Sequence, residues 1–390
     1  MSTRENLQND PSALVLTGAD LLTPQGRMHD HALWVAEGRI RAILPTNAIP
    51  SGLIPLQLDG GILAPGLIDA QVNGGGGILF NDEPNVEAIA HIAQTHNRFG
   101  TTSLLPTLIS DDLSVVARAI AAVDAAIEAQ VPGVIGIHLE GPFLNSAKKG
   151  IHDASKFRQL DDAAIELLTQ LQRGKTMITL APELAPQGAI AALRARGAIV
   201  LAGHSLADYD QTKEALRAGL QGATHLFNAM PPLMSRAPGM IAAMLENKTT
   251  RSGIIVDGMH VHPALLRLAL AARGLDGFFL VTDAMPCVGS DLTAFQLFGQ
   301  PIRVVEDQCR GPDGTLAGST LTIAKAVRNA VDMLELSLAQ ALTMASATIA
   351  DLLGLLAQKG QLIAGADADL VHFSDDGALL GVWNRGVHRP

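Results

Sequence analysis

Three kinds of apolar patterning follow one another along the chain. From Ala13 the apolar residues come in short bursts, ALVLTGADLLTP, HALWVAEGRIRAILP and LIPLQLDGG, each closed by Gly, Pro or Asp. Such breaks predict a small β unit made of hairpins. From ILAPGLIDAQVNGGG onward, continuous apolar runs alternate with segments of helical period. Continuous runs suit strands covered on both faces, and the alternation predicts βα units on a parallel sheet. The runs are ILAPGLID (62–69), TSLLPT (102–107), GVIGIHLE (133–140), TMITLAPE (176–183), AIVLAGH (198–204), ATHLF (223–227), SGIIVDG (252–258) and FFLVTDA (278–284). Between them lie helix-like segments such as VEAIAHIAQTHNRFG and QGAIAALRARG, several closed by Gly where a C-cap sits.

Eight strand–helix units are what a closed (β/α)8 TIM barrel needs, with an open doubly wound sheet as the alternative that periodicity leaves. After the eighth run, PCVGSDLTAFQLFGQPIRVVEDQCRGPDGTLAGS reads as an inserted hairpin or loop excursion, followed by two helical stretches. The chain closes on GQLIAGADADLVHFSDDGALLGVWNRG, again short strands with Gly and Asp turns. These can join the N-terminal strands in one small β-sandwich, because chain ends often lie close together. The expected fold is therefore α/β: residues 12–61 with 361–390 as the small β domain, and 62–360 as the barrel.

Composition narrows the function. Of 390 residues 48% are hydrophobic and 17% charged, enough for a large core plus a satellite. Lys and Arg number 28 against 38 Asp and Glu, a net charge of −10 with no long basic run, so a broad nucleic-acid face is not expected. Cys287 and Cys309 form neither a CxxC pair nor a disulfide framework and read as free thiols in a reducing compartment. The polar start MSTRENLQND lacks a signal core, and no run reaches the roughly 18 apolar residues of a spanning helix. A soluble cytoplasmic protein without a membrane partner is the expectation.

In a barrel, reactive groups sit at the C-terminal ends of strands. Four runs end that way, on Glu140, His204, His225 and Asp283. A carboxylate and two imidazoles suit a divalent ion such as zinc, and Asp283 is then a further ligand or a general base. One histidine at a strand end is more often simply hydrogen-bonded; four such groups at four ends are harder to set aside. His138, two residues before Glu140, reads equally as an extra ligand, a partner orienting Glu140, or a barrel-interior residue. QVNGGGG lacks the spacing of a nucleotide loop and reads as a flexible segment, with Gln71 and Asn73 able to face the pocket. Lys148, Lys149 and His152, then Asn228 and Arg236, then His260 and His262 make three polar loop mouths suited to a phosphorylated substrate.

These motifs carry a resemblance. APGLIDAQVNGGGG, HLEGPFLNSAKKGIH, AGHS, THLFNAM, RAPG, VDGMH, VTDAM and LAGS span nearly the whole chain. Together they resemble the N-acetylglucosamine-6-phosphate deacetylase family of the amidohydrolase superfamily. The resemblance implies a homodimer that hydrolyses N-acetyl-D-glucosamine 6-phosphate to D-glucosamine 6-phosphate and acetate. It places the metal ligands on Glu140, His204 and His225 and the catalytic acid/base on Asp283. It puts His152 at the acetamido carbonyl, and Asn228, the Ala229 backbone and His260 on the sugar phosphate, with Arg236 reaching in from the neighbouring subunit.

One departure matters. Where many amidohydrolases carry His-x-His after the first strand and hold a second metal, this chain has Gln71 and Asn73. Amides replace imidazoles poorly as ligands, so one divalent metal per subunit is expected, zinc before iron or another ion. The implied chemistry is attack by metal-activated water, Asp283 acting first as base and then as acid. An N-acetylgalactosamine 6-phosphate deacetylase is the nearest rival.

Overall fold

The computed structural model describes residues 13–389. The polar start, expected to be loose and without a signal core, lies outside them. Eight parallel strands form the centre: β1 Leu67–Val72, β2 Thr101–Ile109, β3 Gly136–Glu140, β4 Lys175–Leu180, β5 Ile199–Ala202, β6 Gly222–Ala223, β7 Ser252–Ile254 and β8 Phe278–Leu280. Strands β1 to β6 pair in chain order, and β7 pairs with β8.

Two seams close the ring. Between β6 and β7, the Leu226 amide donates to the Gly253 carbonyl at 2.8 Å and Arg251 donates to Gln221 at 2.9 Å. Between β8 and β1, the Asp283 amide donates to the Gln71 carbonyl at 3.0 Å and Asn73 donates to Ala284 at 2.9 Å. The sheet is therefore a barrel, and the open alternative falls away. Every residue of β1, β2 and β3 is buried, as continuous apolar runs require.

Helices α1 Val86–Asn97, α2 Leu113–Glu128, α3 Asp162–Leu168, α4 Ala189–Ala195, α5 Tyr209–Arg217, α6 Gly239–Glu246, α7 Pro263–Arg273 and α8 Ile323–Leu334 cover the strands. Their ends are chemically marked. Asn85 caps α1 by accepting from the Ala88 amide, and Ile89, Ile92, Ala93 and His96 then form its buried face. Asp208 and Gln211 make a reciprocal capping box on α5.

The chain ends build two further sheets. One contains Leu14–Thr17, His31–Ala36, Arg39–Pro45 and Pro55–Gln57; the other joins Asp20–Thr23, Gly26–Met28 and Ile62–Pro65 to Leu370–Phe373, Leu379–Asn384 and Val387–Arg389. Leu16, Leu33 and Val35 of the first share a core with Leu21, Leu63, Leu370 and Trp383 of the second. The run ILAPGLID is thus two strands rather than one. Ile62–Pro65 pairs with Leu370–Phe373, and the barrel begins only at Leu67. The chain crosses between sheets at Gly66, where a Cβ would lie 2.1 Å from Thr102 Oγ1, so a side chain is sterically excluded.

The excursion after β8 is a four-stranded antiparallel sheet, Ala294–Leu297, Gln300–Val305, Gln308–Arg310 and Leu316–Ser319. Leu297, Ile302, Cys309 and Ala317 pack with Ile109 and Met285, which fixes this flap over one side of the barrel mouth. Cys287 and Cys309 are free thiols, as expected, with their sulfurs 3.4 Å apart. Among the described residues no helix is long and apolar enough to cross a membrane.

Candidate active site

The strand ends converge. Glu140 closes β3, while His204, His225 and Asp283 lie two or three residues beyond β5, β6 and β8. Those last three have left-handed backbones, with φ of 48°, 30° and 54°. Each such conformation costs roughly 1 kcal/mol or more and persists only where the surroundings fix it. Here they do: the His204 carbonyl accepts from Asn145 N at 2.9 Å, His225 from Asn228 N at 3.0 Å, and Asp283 from Ser319 N at 2.8 Å. The turns aim all three side chains at Glu140 and the cavity.

Glu140 Oε1 lies 3.1 Å from His204 Nε2 and 2.9 Å from His225 Nε2, and the two nitrogens are 3.1 Å apart. All three side chains are buried. His204 Nδ1 lies 2.8 Å from the Lys148 carbonyl, which can only accept, so this nitrogen carries the hydrogen. In the neutral ring Nε2 is then a lone pair facing a carboxylate oxygen. Lone pair against lone pair is repulsive unless a cation stands between them, and this donor set fits a divalent metal. His152 brings a third histidine close: with Glu140 and His204 it forms a group whose ligand atoms lie within 4.8 Å of one another.

Asp283 faces this cluster across Gln71. Gln71 Nε2 donates to Glu140 Oε2 and to Asp283 Oδ1, each at 3.1 Å, and Asn73 Nδ2 donates to the same Asp283 oxygen at 2.6 Å. Burial, reinforced by the Glu140 charge, raises the Asp283 carboxyl above the usual range. Below it, Asp69 accepts from Thr282 Oγ1 at 2.5 Å and from the Gln71 amide at 3.2 Å, clamping the seam on which Asp283 sits.

A cavity of about 350 Å³ opens above these groups. Its lining combines Lys148, Asn228, Ala229 and His260 with the apolar Ile109, Ile151, Met285 and Leu316. His260 is held by Asp257, Nδ1 to Oδ2 at 2.6 Å. Glu140, His152, His204, His225, Asn73 and Asp283 line the floor, and Gln71 lies beneath it.

Other candidates sit elsewhere. His138 is a barrel-interior residue, its Nε2 2.8 Å from Thr179 Oγ1. His262 caps α7 through the Ala264 amide. Arg236 lies on an exposed segment outside this chain's own cavity wall, and Lys149 is likewise exposed. The sequence reading missed Ser110, which bonds to His152, and the flap residues Thr315, Leu316 and Gly318 that line the cavity. Ser110 follows the end of β2, so the strand-end rule applied to TLISDD would have found it.

Comparison with known proteins agrees with this geometry. The profile of the amidohydrolase family matches residues 62–387. The chain is 42% identical to an N-acetylgalactosamine-6-phosphate deacetylase of Shewanella sp. (strain ANA-3), over 97% of this chain and 96% of the relative. It is 37% identical to an N-acetylglucosamine-6-phosphate deacetylase of Bos taurus, covering 88% of this chain and 87% of that one. The crystal structure of N-acetylglucosamine-6-phosphate deacetylase from Pasteurella multocida superposes with a TM-score of 0.93 at 33% identity, over 97% of this chain and 99% of the other.

Proposed function

This chain belongs to the amidohydrolase family, and on that premise we propose that it removes the acetyl group from an N-acetylated amino-sugar 6-phosphate by hydrolysis. The observation that carries the reading is the convergence of Glu140, His204 and His225 opposite a buried Asp283, under a cavity lined in part by Lys148, Asn228 and His260. N-acetyl-D-glucosamine 6-phosphate is the substrate the motifs favour. The 42% identity with the Shewanella enzyme favours the C4 epimer as a second reading.

Glu140, His204 and His225 hold one divalent ion in this reading, with zinc the expected metal. Bound there, the ion supplies Lewis-acid polarisation and lowers the pKa of water. The protein's own groups do the rest. Gln71 and Asn73 both donate to Asp283 Oδ1, which leaves Oδ2 to take the proton of the attacking water and return it to the departing amine. Its raised carboxyl pKa favours that acceptance. His152 faces the acetamido carbonyl, and Asn228, the Ala229 backbone and His260 take the sugar phosphate. Arg236, exposed and outside its own cavity, reaches the neighbouring site in a homodimer. The barrel, which begins at Leu67 rather than at residue 62, carries the chemistry, and the protein works in the cytoplasm.

The test is acetate release by protein of known metal content from N-acetylglucosamine 6-phosphate, N-acetylgalactosamine 6-phosphate and unphosphorylated N-acetylglucosamine. Turnover of the phosphorylated sugars alone supports the reading, and their ratio decides the epimer. No turnover of either by metal-loaded protein overturns it.

A further inference from the structure

His152 lies against the ring of His204, centroids 4.5 Å apart, close enough to Glu140 and His204 to compete as a ligand. Its role depends on which ring nitrogen carries the hydrogen. With the hydrogen on Nδ1, Nε2 offers a lone pair and His152 joins the metal set. With the hydrogen on Nε2, the ring is a hydrogen-bond donor and binds no metal through that atom.

Ser110 decides between these states. Its hydroxyl oxygen lies 2.8 Å from His152 Nδ1, a distance that alone leaves the direction of the bond open. Its backbone amide, however, also points at Nδ1, from 3.3 Å. A backbone N–H can only donate, so an Nδ1–H tautomer or an imidazolium would set hydrogen against hydrogen between two buried groups. Both residues are almost fully buried. The Ser110 hydroxyl also lies 3.4 Å from the Glu140 carbonyl, but its 2.8 Å approach to Nδ1 is the shorter, and with the amide marking Nδ1 as an acceptor the hydroxyl hydrogen belongs there as well.

We propose that Ser110 is a positioning residue that fixes His152 in the Nε2–H tautomer, withdrawing it from the metal ligands and presenting a donor to the substrate's acyl oxygen. Only the last clause rests on the deacetylase reading; the tautomer is a property of the resting protein. A donor already oriented at the place where negative charge develops needs no reorganisation during reaction. His204 and His152 thus divide by what holds their Nδ1 atoms. The Lys148 carbonyl frees the Nε2 lone pair of His204, whereas the Ser110 donors do the opposite for His152.

The experiment is long-range 1H–15N correlation NMR of histidine-labelled protein, zinc-loaded and metal-free, with His152 assigned by difference from His152→Gln. The expected pattern is a protonated Nε2 and an unprotonated Nδ1 in both samples. A protonated Nδ1, or an Nε2 that loses its hydrogen when zinc is added, overturns the proposal. Ser110→Ala keeps the weaker backbone donor. It should let a minor Nδ1–H population appear beside the Nε2–H form that the amide still favours, and lower kcat about tenfold, the scale of one buried hydrogen bond, with metal content unchanged and KM within about twofold. Ser110→Thr should restore the wild-type pattern. An Ala variant with wild-type kcat and an unchanged His152 signature removes the role; should that variant not fold, the wild-type spectrum alone decides.

Discussion

Asn73 Nδ2 stands 2.6 Å from Asp283 Oδ1, so a side-chain amide, not a ligand, abuts the carboxylate. The amide hydrogen fixes the direction of the bond and keeps that oxygen engaged. Asp283→Asn should therefore retain its metal while kcat falls about a thousandfold, within the usual range for a general acid–base group. Metal analysis beside steady-state kinetics checks this, and full activity in the variant would remove Asp283 from the mechanism. Asn73→Ala should lose less, on the order of tenfold, because Gln71 still donates to the same oxygen.

Stripping the metal should destabilise the protein as well as silence it. Without a cation, Glu140 and the facing imidazole nitrogens lie within 3.1 Å of one another in a buried site. We expect chelation to lower the melting temperature by several degrees, zinc to restore both stability and activity, and metal analysis to give about one ion per chain. Melting temperatures that ignore chelation would contradict the cluster's assignment. Two tightly bound ions per chain would contradict the reading of Gln71 and Asn73.

Acid should weaken the fold through His96. This buried residue donates from Nε2 to the Gly74 carbonyl at 2.9 Å, while Nδ1 has no partner. Burial holds its imidazole down at about 4, against 6.5 for the free side chain. The folded state thus binds fewer protons than the unfolded chain between these values. Its contribution to stability is complete above pH 6.5 and is lost as pH falls through 4, on the order of 3 kcal/mol in all. Denaturation of metal-free protein at pH 7.5 and 5 should show a smaller loss in His96→Gln than in the wild type; equal losses refute the assignment.

Lys359 joins the barrel helices to the terminal sheet. Its ammonium contacts Asp369 and lies 3.1 Å from Asp367, in a site where the three side chains are 13%, 7% and 17% exposed. Burial opposes its charge, but the two carboxylates outweigh that and raise its pKa. Lys359→Met leaves two carboxylates largely desolvated and should cost about 3–5 kcal/mol, read as a lower denaturation midpoint. A change below 1 kcal/mol would show that water replaces the ammonium.

Much of this was legible in the residues. The eight apolar runs each contain or touch a barrel strand, because burial on both faces leaves no polar interruption to hide them. Glu140, His204, His225 and Asp283 stood out because a charged or imidazole group ending such a run has few structural uses. What the pattern concealed was direction and partner. Period two put His138 on the Glu140 side of β3 but left three roles open, and Thr179 fixes the barrel-interior one. ILAPGLID reads as one strand because apolarity does not record that the sheet changes at Gly66. Ser110 stands just past a strand end, but its partner His152 lies 42 residues on, and Leu316 acts from the flap, so local spacing names neither contact.

The seam between β8 and β1 also sets when the protein becomes an enzyme. Asp69 and Thr282 bond across 213 residues of chain, and the Asp283 backbone is pinned between Gln71 and Ser319. During synthesis, Glu140, His204 and His225 emerge well before Asp283 and its C-terminal partner Ser319. A nascent chain can thus assemble a metal-gathering fragment with no proton acceptor in place. Contacts of such long separation form late because loop closure must precede them. On the proposed function, a chain truncated before Phe278 would hold the proposed ligands without the carboxylate that the reaction needs.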